Sequence, residues 1–307
     1  MINKQIVDFL SKKKNIAQRD LIEKDLILTK ILYYLSKEPE FLKNYAFKGG
    51  TCLTKFYLGY FRFSEDLDFT YLNQKIFKNK TANETRKIIS AEITQTTKFL
   101  EEISTKIGLR FKADKGNDKY FEFGGGNRFL TLKLWYHSVE LEKESFVKIQ
   151  VNHKEKIKFK IKELDAKNLI SKELEKEFSV NFPEEAKIFL SPLKIKCYDI
   201  KEILCEKVRA ILTRRGVKSR DFIDVFMIER ANNLQTENFE KEILEKTKDS
   251  LKNKKYVENL QEKTKNPPSY SKGEEERLLL IKLDKKFYTS FLDNFNRFIN
   301  KLLKKLK

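Results

Sequence analysis

Apolar positions change their spacing several times along the chain, and each change predicts a change of element. Leu26, Leu28, Ile31, Leu32 and Leu35 recur at the three-to-four-residue interval of a buried helix face. The first 45 residues therefore read as helices, closed off near Pro39. Lys48-Gly49-Gly50-Thr51 breaks that pattern. Leu53, Phe56, Tyr57 and Tyr60 then restore it, which predicts a helix starting close to Thr51 with the glycines in the turn ahead of it. Asp66 to Tyr71 alternates as a half-buried strand does. A long amphipathic helix is predicted over 83–107. The stretch 109–159 turns strand-like, with runs at Tyr120 to Phe123, Phe129 to Tyr136 and Phe146 to Val151. After Pro192 the pattern is almost wholly helical, apart from a loop at Asn266-Pro267-Pro268-Ser269, and it ends in a lysine-rich amphipathic helix end over 300–307. A domain boundary near 190 is expected, separating a mixed core, 1–190, from a helical domain, 191–307. No repeat of fixed period is present.

The 307 residues are 40% apolar and 12% aromatic, enough to pack one large or two moderate domains. Lys and Arg outnumber Asp and Glu by 64 to 45, a formal charge of +19, which predicts a polyanionic partner. No window approaches about eighteen uninterrupted apolar residues, and the N-terminus is polar and lysine-rich, so the expectation is a cytoplasmic protein without a membrane partner. Cys52, Cys197 and Cys205 lie in apolar surroundings without CxxC pairing and read as core residues. Only His137 and His153 are available as imidazoles, so any chemistry falls to carboxylates and amines.

The segment richest in chemistry is Lys48-Gly49-Gly50-Thr51-Cys52-Leu53 followed by Arg62-Phe63-Ser64-Glu65-Asp66-Leu67-Asp68-Phe69. Residues two apart in a strand project to one face, so Asp66 and Asp68 place two carboxylates side by side. Their mutual repulsion favours a cation between them. A Gly-Gly-Thr turn at a helix start supplies amide donors for phosphate, and the combination suggests a Mg²⁺-triphosphate site. The bland alternative is a solvated strand edge beside an ordinary turn.

On the segment beginning at Asp199, Ile200, Ile203, Leu204, Val208, Ile211 and Leu212 form one apolar face, and Lys207 falls in its middle with Arg214 near its edge. Two readings stay open: a lysine that snorkels to the surface, or one that binds the triphosphate as a point charge with Arg214 assisting. Ser219 reads as the N-cap of the next helix and Asp221 as a first-turn acid of capping or catalytic role. Asp224, among Phe222, Ile223, Val225 and Phe226, can orient Lys207 or Arg214 by an ion pair. Gly124-Gly125-Gly126 lacks the spacing of a phosphate loop and reads as a hairpin turn. Trp135 and its aromatic neighbours read as core, with base stacking on one or two of the rings as the alternative.

These motifs, Lys48-Gly-Gly-Thr-x-Leu, Arg62-Phe-Ser-Glu-Asp-Leu-Asp-Phe69, Glu202-Ile-Leu-x-Glu-Lys207 and Arg220-Asp-x-x-Asp224, resemble the AbiEii-type nucleotidyltransferase toxins of bacterial type IV toxin–antitoxin and phage abortive-infection systems. Lesser agreement extends to Glu23-Lys24-Asp25. The resemblance spans roughly residues 20 to 230. It implies an α+β fold: a DNA polymerase β-like core, a small mixed sheet flanked by helices, followed by a helical domain that contributes Lys207 and Asp224 to the site. By the same resemblance Ser64, Asp66 and Asp68 position Mg²⁺ and the NTP. Gly50 and Thr51 match the phosphate-side turn, beside Gly49 of the same Gly-Gly-Thr reading, Lys207 binds the nucleotide, and Asp224 or else Asp221 is the later acid. Enzymes of this superfamily usually draw a third carboxylate from a neighbouring strand, and Val147 to Asn152 offers Gln150 there instead.

The function expected is Mg²⁺-dependent transfer of an NMP unit from an NTP to an RNA, with tRNA the nearest precedent, in a toxin kept in check by an antitoxin partner. The excess of Lys and Arg suits an RNA acceptor. The alternative is a non-catalytic RNA- or partner-binding protein that keeps the fold and NTP binding, which the missing third acid favours. A metal nuclease also clusters acids but leaves the Gly-Gly-Thr turn unexplained.

Overall fold

The computed structural model describes residues 2–125, 128–271 and 277–307. The chain divides into two compact units, one of Met1–Glu155 with Ile161–Cys197, the other of Lys156–Lys160 with Tyr198–Lys307.

The first unit is built on a seven-stranded mixed sheet. Its strands are β1 (Tyr45–Lys48), β2 (Asp66–Tyr71), β3 (Phe121–Gly124), β4 (Phe129–His137), β5 (Glu144–Asn152), β6 (Lys162–Asp165) and β7 (Lys194–Cys197), in the order β3-β4-β5-β2-β1-β7-β6. β2 runs parallel to β5 and β1 parallel to β7, while the other neighbours are antiparallel. Alternation fixes which face is core. Leu67 and Phe69, Val147, Ile149 and Val151, and Leu130, Leu132 and Leu134 are all buried on one side. At about 1.5–3 kcal/mol for each fully buried large apolar side chain, a one-residue slip of any central strand would expose its whole contribution. Phe41 rings pack on Tyr45, Phe69 and Phe99, and the Tyr45 hydroxyl meets Thr96 Oγ1 at 2.8 Å, which ties the Ala82–Ile107 helix to this face. That helix begins in a capping box between Thr81 and Glu84 and ends at Gly108, whose φ of 79° is the left-handed cap that glycine adopts without strain.

The opposite face of the central strands is polar and carries Asp66, Asp68 and Thr70 on β2, Lys148, Gln150 and Asn152 on β5, and Thr131 and Lys133 on β4. Trp135 and Phe146 pair across β4 and β5 on this same face, so Trp135 is half-buried there and is not a core residue. The alternation of Leu134 and Tyr136 into the core forces it out. The glycine hairpin joins β3 to β4, with Gly125 at φ 58°; its Gly126 and Asn127 lie outside the described residues.

The second unit is helical, with Ile200–Thr213, Ser219–Asn232, Glu240–Ser250, Lys254–Lys265 and Lys285–Leu306 as its helices of ten or more residues. Asp199 caps the first by accepting from Lys201 N at 2.9 Å. Ser219 is not the cap of the second: it is the first helical residue, and its hydroxyl donates to the Ser271 carbonyl. Phe222, Phe226, Tyr288, Phe291 and Phe295 form the aromatic core. Glu202, fully buried, accepts from the Lys158 and Phe159 amides at 2.7 Å each and pairs with Lys246, which also bonds the Lys156 carbonyl at 2.6 Å. These bonds explain why residues 156–160 belong to this unit.

The α+β organisation expected from the sequence, a mixed sheet with helices and then a helical segment, is the one observed. Two details differ. The helix after Lys48 starts at Gly49 itself, because the glycines form its first turn, and β7 lies beyond Pro192 in a stretch read as helical. Among the described residues no helix is long and apolar enough to cross a membrane. All three cysteines are buried and free; burial, then contact with Cys197, pushes the Cys52 thiol well above its ordinary range.

Candidate active site

Gly49 is the residue on which the geometry of the first unit turns. Its φ of 76° is open to glycine alone at low cost, and a Cβ there would overlap the Asp68 carboxylate. A Cβ on Gly50 would stand 2.5 Å from the Arg62 guanidinium and 3.0 Å from Ser64 Oγ. The two glycines therefore let the helix start press against the acid strand. Thr51 closes the join by donating its hydroxyl to the Asp66 carbonyl at 2.5 Å, so this side chain pins the turn and offers no hydroxyl outward. Asp66 and Asp68 stay partly exposed on the polar face, and Ser64 is likewise partly exposed.

Around the carboxylate pair the strand register sets the neighbours. Lys48 lies opposite Asp68 on β1 and Gln150 opposite Asp68 on β5. Gln150 Nε2 donates to Thr131 Oγ1 at 3.4 Å. Lys48 Nζ pairs with Glu155 at 2.5 Å, and Thr70 donates to the same carboxylate oxygen at 2.7 Å. Among the described residues no cluster of three or more His, Cys, Asp or Glu side chains is arranged to hold a metal ion. Two hard carboxylates on one strand, with the Gly49 backbone held close by its missing side chain, fit a divalent cation that takes its remaining ligands from phosphate and water.

Beneath the turn lies a buried network that periodicity does not reveal. The Gly49–Cys52 helix continues as a π-helix, Leu53–Leu58, and carries Lys55 into the interior. Lys55 Nζ meets Asp25 at 2.8 Å, Thr29 Oγ1 at 2.8 Å and Tyr60 Oη at 2.5 Å, and Tyr60 donates to the other Asp25 oxygen at 2.9 Å. Arg62, 1% exposed, donates to the Phe63 carbonyl at 2.7 Å. The sequence signals are slight: Asp25 ends the charged triplet Glu23-Lys24-Asp25 between Leu21-Ile22 and Leu26-Ile27-Leu28, and Lys55 is a charge between Leu53-Thr54 and Phe56.

In the second unit Lys207 Nζ lies 2.9 Å from Asp221 and 2.5 Å from Asp224, and Arg214 bonds the other Asp221 oxygen at 2.7 Å. Burial alone would raise the Asp221 carboxyl, but Lys207 and Arg214 outweigh it and hold the group well below the usual carboxylate range. Asp221 is thus an ion-pair partner as well as a first-turn acid. Burial, then Arg214, push the Lys263 ammonium down to about 8, and it donates to the Ile211 and Gly216 carbonyls at 2.6 and 2.7 Å. The sequence motifs include Arg62 and Asp25 without giving either a role, and Lys55, Lys246 and Lys263 were missed. The residues it singled out fall into two groups, each compact within its own unit: Gly49, Gly50, Thr51, Ser64, Asp66 and Asp68 in one, and Lys207, Arg214, Asp221 and Asp224 in the other.

The profile of the family described as nucleotidyl transferase AbiEii toxin, type IV TA system, matches residues 30–304. Among solved structures, JHP933 from Helicobacter pylori is similar at 18% identity over 95% of this chain and 96% of that one, with a TM-score of 0.45. MenT4, a nucleotidyltransferase toxin from Mycobacterium tuberculosis, is similar at 16% identity over 100% of both chains, also with a TM-score of 0.45. No curated protein matches the sequence significantly.

Proposed function

Because the chain belongs to the AbiEii family of nucleotidyltransferase toxins of type IV toxin–antitoxin systems, we propose that it transfers an NMP unit from an NTP to an RNA, tRNA foremost, with Mg²⁺ as the metal. Family membership itself brings nucleotidyl transfer, a toxin's role, a nucleotide substrate and an antitoxin partner. The metal, the RNA and the residue roles are our reading. The observation that carries it is the Asp68 carboxylate lying where a Gly49 side chain would be, which supports a phosphate-binding helix start and a metal-binding strand at one place.

In this reading Asp66 and Asp68 hold the divalent cation, and Gly49 and Gly50 admit the phosphates close to the backbone amides. The cation, when bound, supplies charge neutralisation at the triphosphate. An RNA hydroxyl attacks the α-phosphorus in line, a new P–O ester bond forms, and the bond to the bridging oxygen breaks with pyrophosphate leaving. With an amide at Gln150, Asp68 is the carboxylate left to receive the hydroxyl proton. Lys207, held by Asp221 and Asp224, has the role of nucleotide-binding cation that the resemblance assigns it, with Arg214 beside it.

The amide at Gln150 also favours a second reading, an RNA- or partner-binding protein that keeps NTP binding without turnover. One experiment separates them. The purified protein is incubated with Mg²⁺, cellular RNA and each α-labelled NTP in turn, beside Asp66→Ala. Label in an RNA band that vanishes in the variant supports transfer, and its absence from protein stabilised by Mg²⁺-NTP supports the binding protein.

A further inference from the structure

The polar face of β4 and β5 continues beyond the carboxylate pair in an ordered sequence of chemistries. Lys148 lies opposite Asp66 on β5, and Lys133 lies opposite Lys148 on β4. Two residues further along β5, about 7 Å at the usual strand rise, Phe146 pairs with Trp135. Their ring centroids are 4.8 Å apart. Lys148 reaches over the Phe146 ring at 5.7 Å, and Lys119 over Trp135 at 5.4 Å. Both rings are only partly buried, although the other face of the same strands is closed core.

Charge on this face favours an anion. Lys133 is matched by Glu122 at 3.2 Å and Arg110 by Glu144, while Lys148 and Lys119 have no carboxylate partner among the described residues. The indole N–H is satisfied by the Lys119 carbonyl at 2.9 Å, which leaves the ring as a flat apolar surface fixed in orientation. Cations beside partly exposed rings are the composition of a surface for unpaired nucleotides, where phosphates meet ammonium groups and bases stack on aromatics. A protein partner would be served as well by apolar side chains. A double helix presents no free base face to stack.

We infer that this face is the docking track for the single-stranded end of the RNA acceptor, with Lys148 and Lys119 on its phosphates and Trp135 and Phe146 on a base, leading the terminal hydroxyl toward Asp66 and Asp68. The inference rests on the transferase reading for the identity of the acceptor. Its chemistry stands on the strand register. The four residues bind and position the strand; none takes part in bond making.

The chain holds one tryptophan, so its emission reports on this surface alone. The full-length protein is titrated with a single-stranded oligoribonucleotide of about eight nucleotides, without NTP or metal, and with the blunt duplex of the same sequence. Saturable quenching by the single strand is expected. Phe146→Ala is expected to weaken it about tenfold, within the ~1–3 kcal/mol of one base–aromatic stack. Lys148→Ala, which leaves the ring packing intact, is expected to weaken it and to flatten its salt dependence. In labelled transfer both variants are expected to raise acceptor KM with kcat little changed. No quenching by the single strand, or equal quenching by the duplex, overturns the track. So does transfer with wild-type acceptor KM in both variants, a result that leaves the proposed function standing. Quenching that responds to both variants in a protein that transfers no label upholds the surface and overturns the transferase.

Discussion

Gln150 lies directly opposite Asp68 in the parallel pairing of β5 with β2, an amide in register with one of the two carboxylates of the candidate site. An amide cannot take a proton from an attacking hydroxyl and is a weak ligand for a hard cation.

Gln150→Glu is therefore expected to tighten Mg²⁺ binding and raise labelled transfer about tenfold or more at limiting metal, within the usual range for a positioned general base. It is also expected to lower the melting temperature in EDTA, because like charges then crowd one face without a cation. Calorimetric metal titration beside the transfer assay checks both. An unchanged rate with tighter metal binding would show that the amide does not limit turnover.

Gly49→Ala combines a left-handed backbone with a Cβ on the Asp68 carboxylate. The backbone strain amounts to roughly 1–2 kcal/mol, so the variant is expected to fold with a modestly lowered melting temperature. The displaced carboxylate is expected to cost on the order of 100-fold in transfer, as misplacement of a reacting group by about 1 Å does. A variant with unaltered transfer would remove Asp68 from the site.

Lys207→Met leaves Asp221 and Asp224 buried without their shared cation. Loss of one partner of a buried pair is expected to destabilise by roughly 3–5 kcal/mol in urea unfolding, with partial recovery when Asp224→Asn is added. The pairing also has a pH signature. The Asp221 carboxyl is held low in the folded state, so its stabilisation is fully present above the ordinary value of 3.8 and lost as pH falls further. The stability gap between the wild type and Asp221→Asn should narrow in acid. A gap independent of pH would mean that the carboxylate is not held ionised by Lys207 and Arg214.

His153 is 1% exposed, its Nδ1 has no hydrogen-bond partner among the described residues, and burial pushes its imidazole down to about 4 from 6.5. The unfolded chain takes up this proton first as pH falls, so stability is expected to decline from about pH 6.5 toward 4. His153→Phe should remove that component of the acid limb in melting curves taken at each pH. Parallel curves for the two proteins would contradict the buried neutral imidazole.

The parts of this molecule that follow local spacing were legible beforehand. Asp66 to Tyr71, the 83–107 helix and the three later strand runs all carry a clear period, and the two carboxylates share a face by strand geometry alone. β7 and β6 were not legible. Lys194 to Cys197 and Lys162 to Asp165 are four residues each, rich in charge, and become strands only through pairing with chain far away in sequence. Trp135 was misplaced because composition ranks a large ring as core, whereas register puts it on the polar face. Lys55 and Lys246 were passed over because a buried lysine is identified by its partners, and those lie on other elements.

The five residues Lys156–Lys160 give the chain an unusual itinerary: it enters the helical unit, leaves it for β6 and β7, and returns at Tyr198. A fragment cut at Tyr198 would lack the amides that Glu202 binds and the carbonyl that Lys246 binds. The helical unit is therefore not a cassette that a single crossover can transplant. Recombination that moves it intact must also carry a segment encoded forty residues upstream, which ties the inheritance of the two units together.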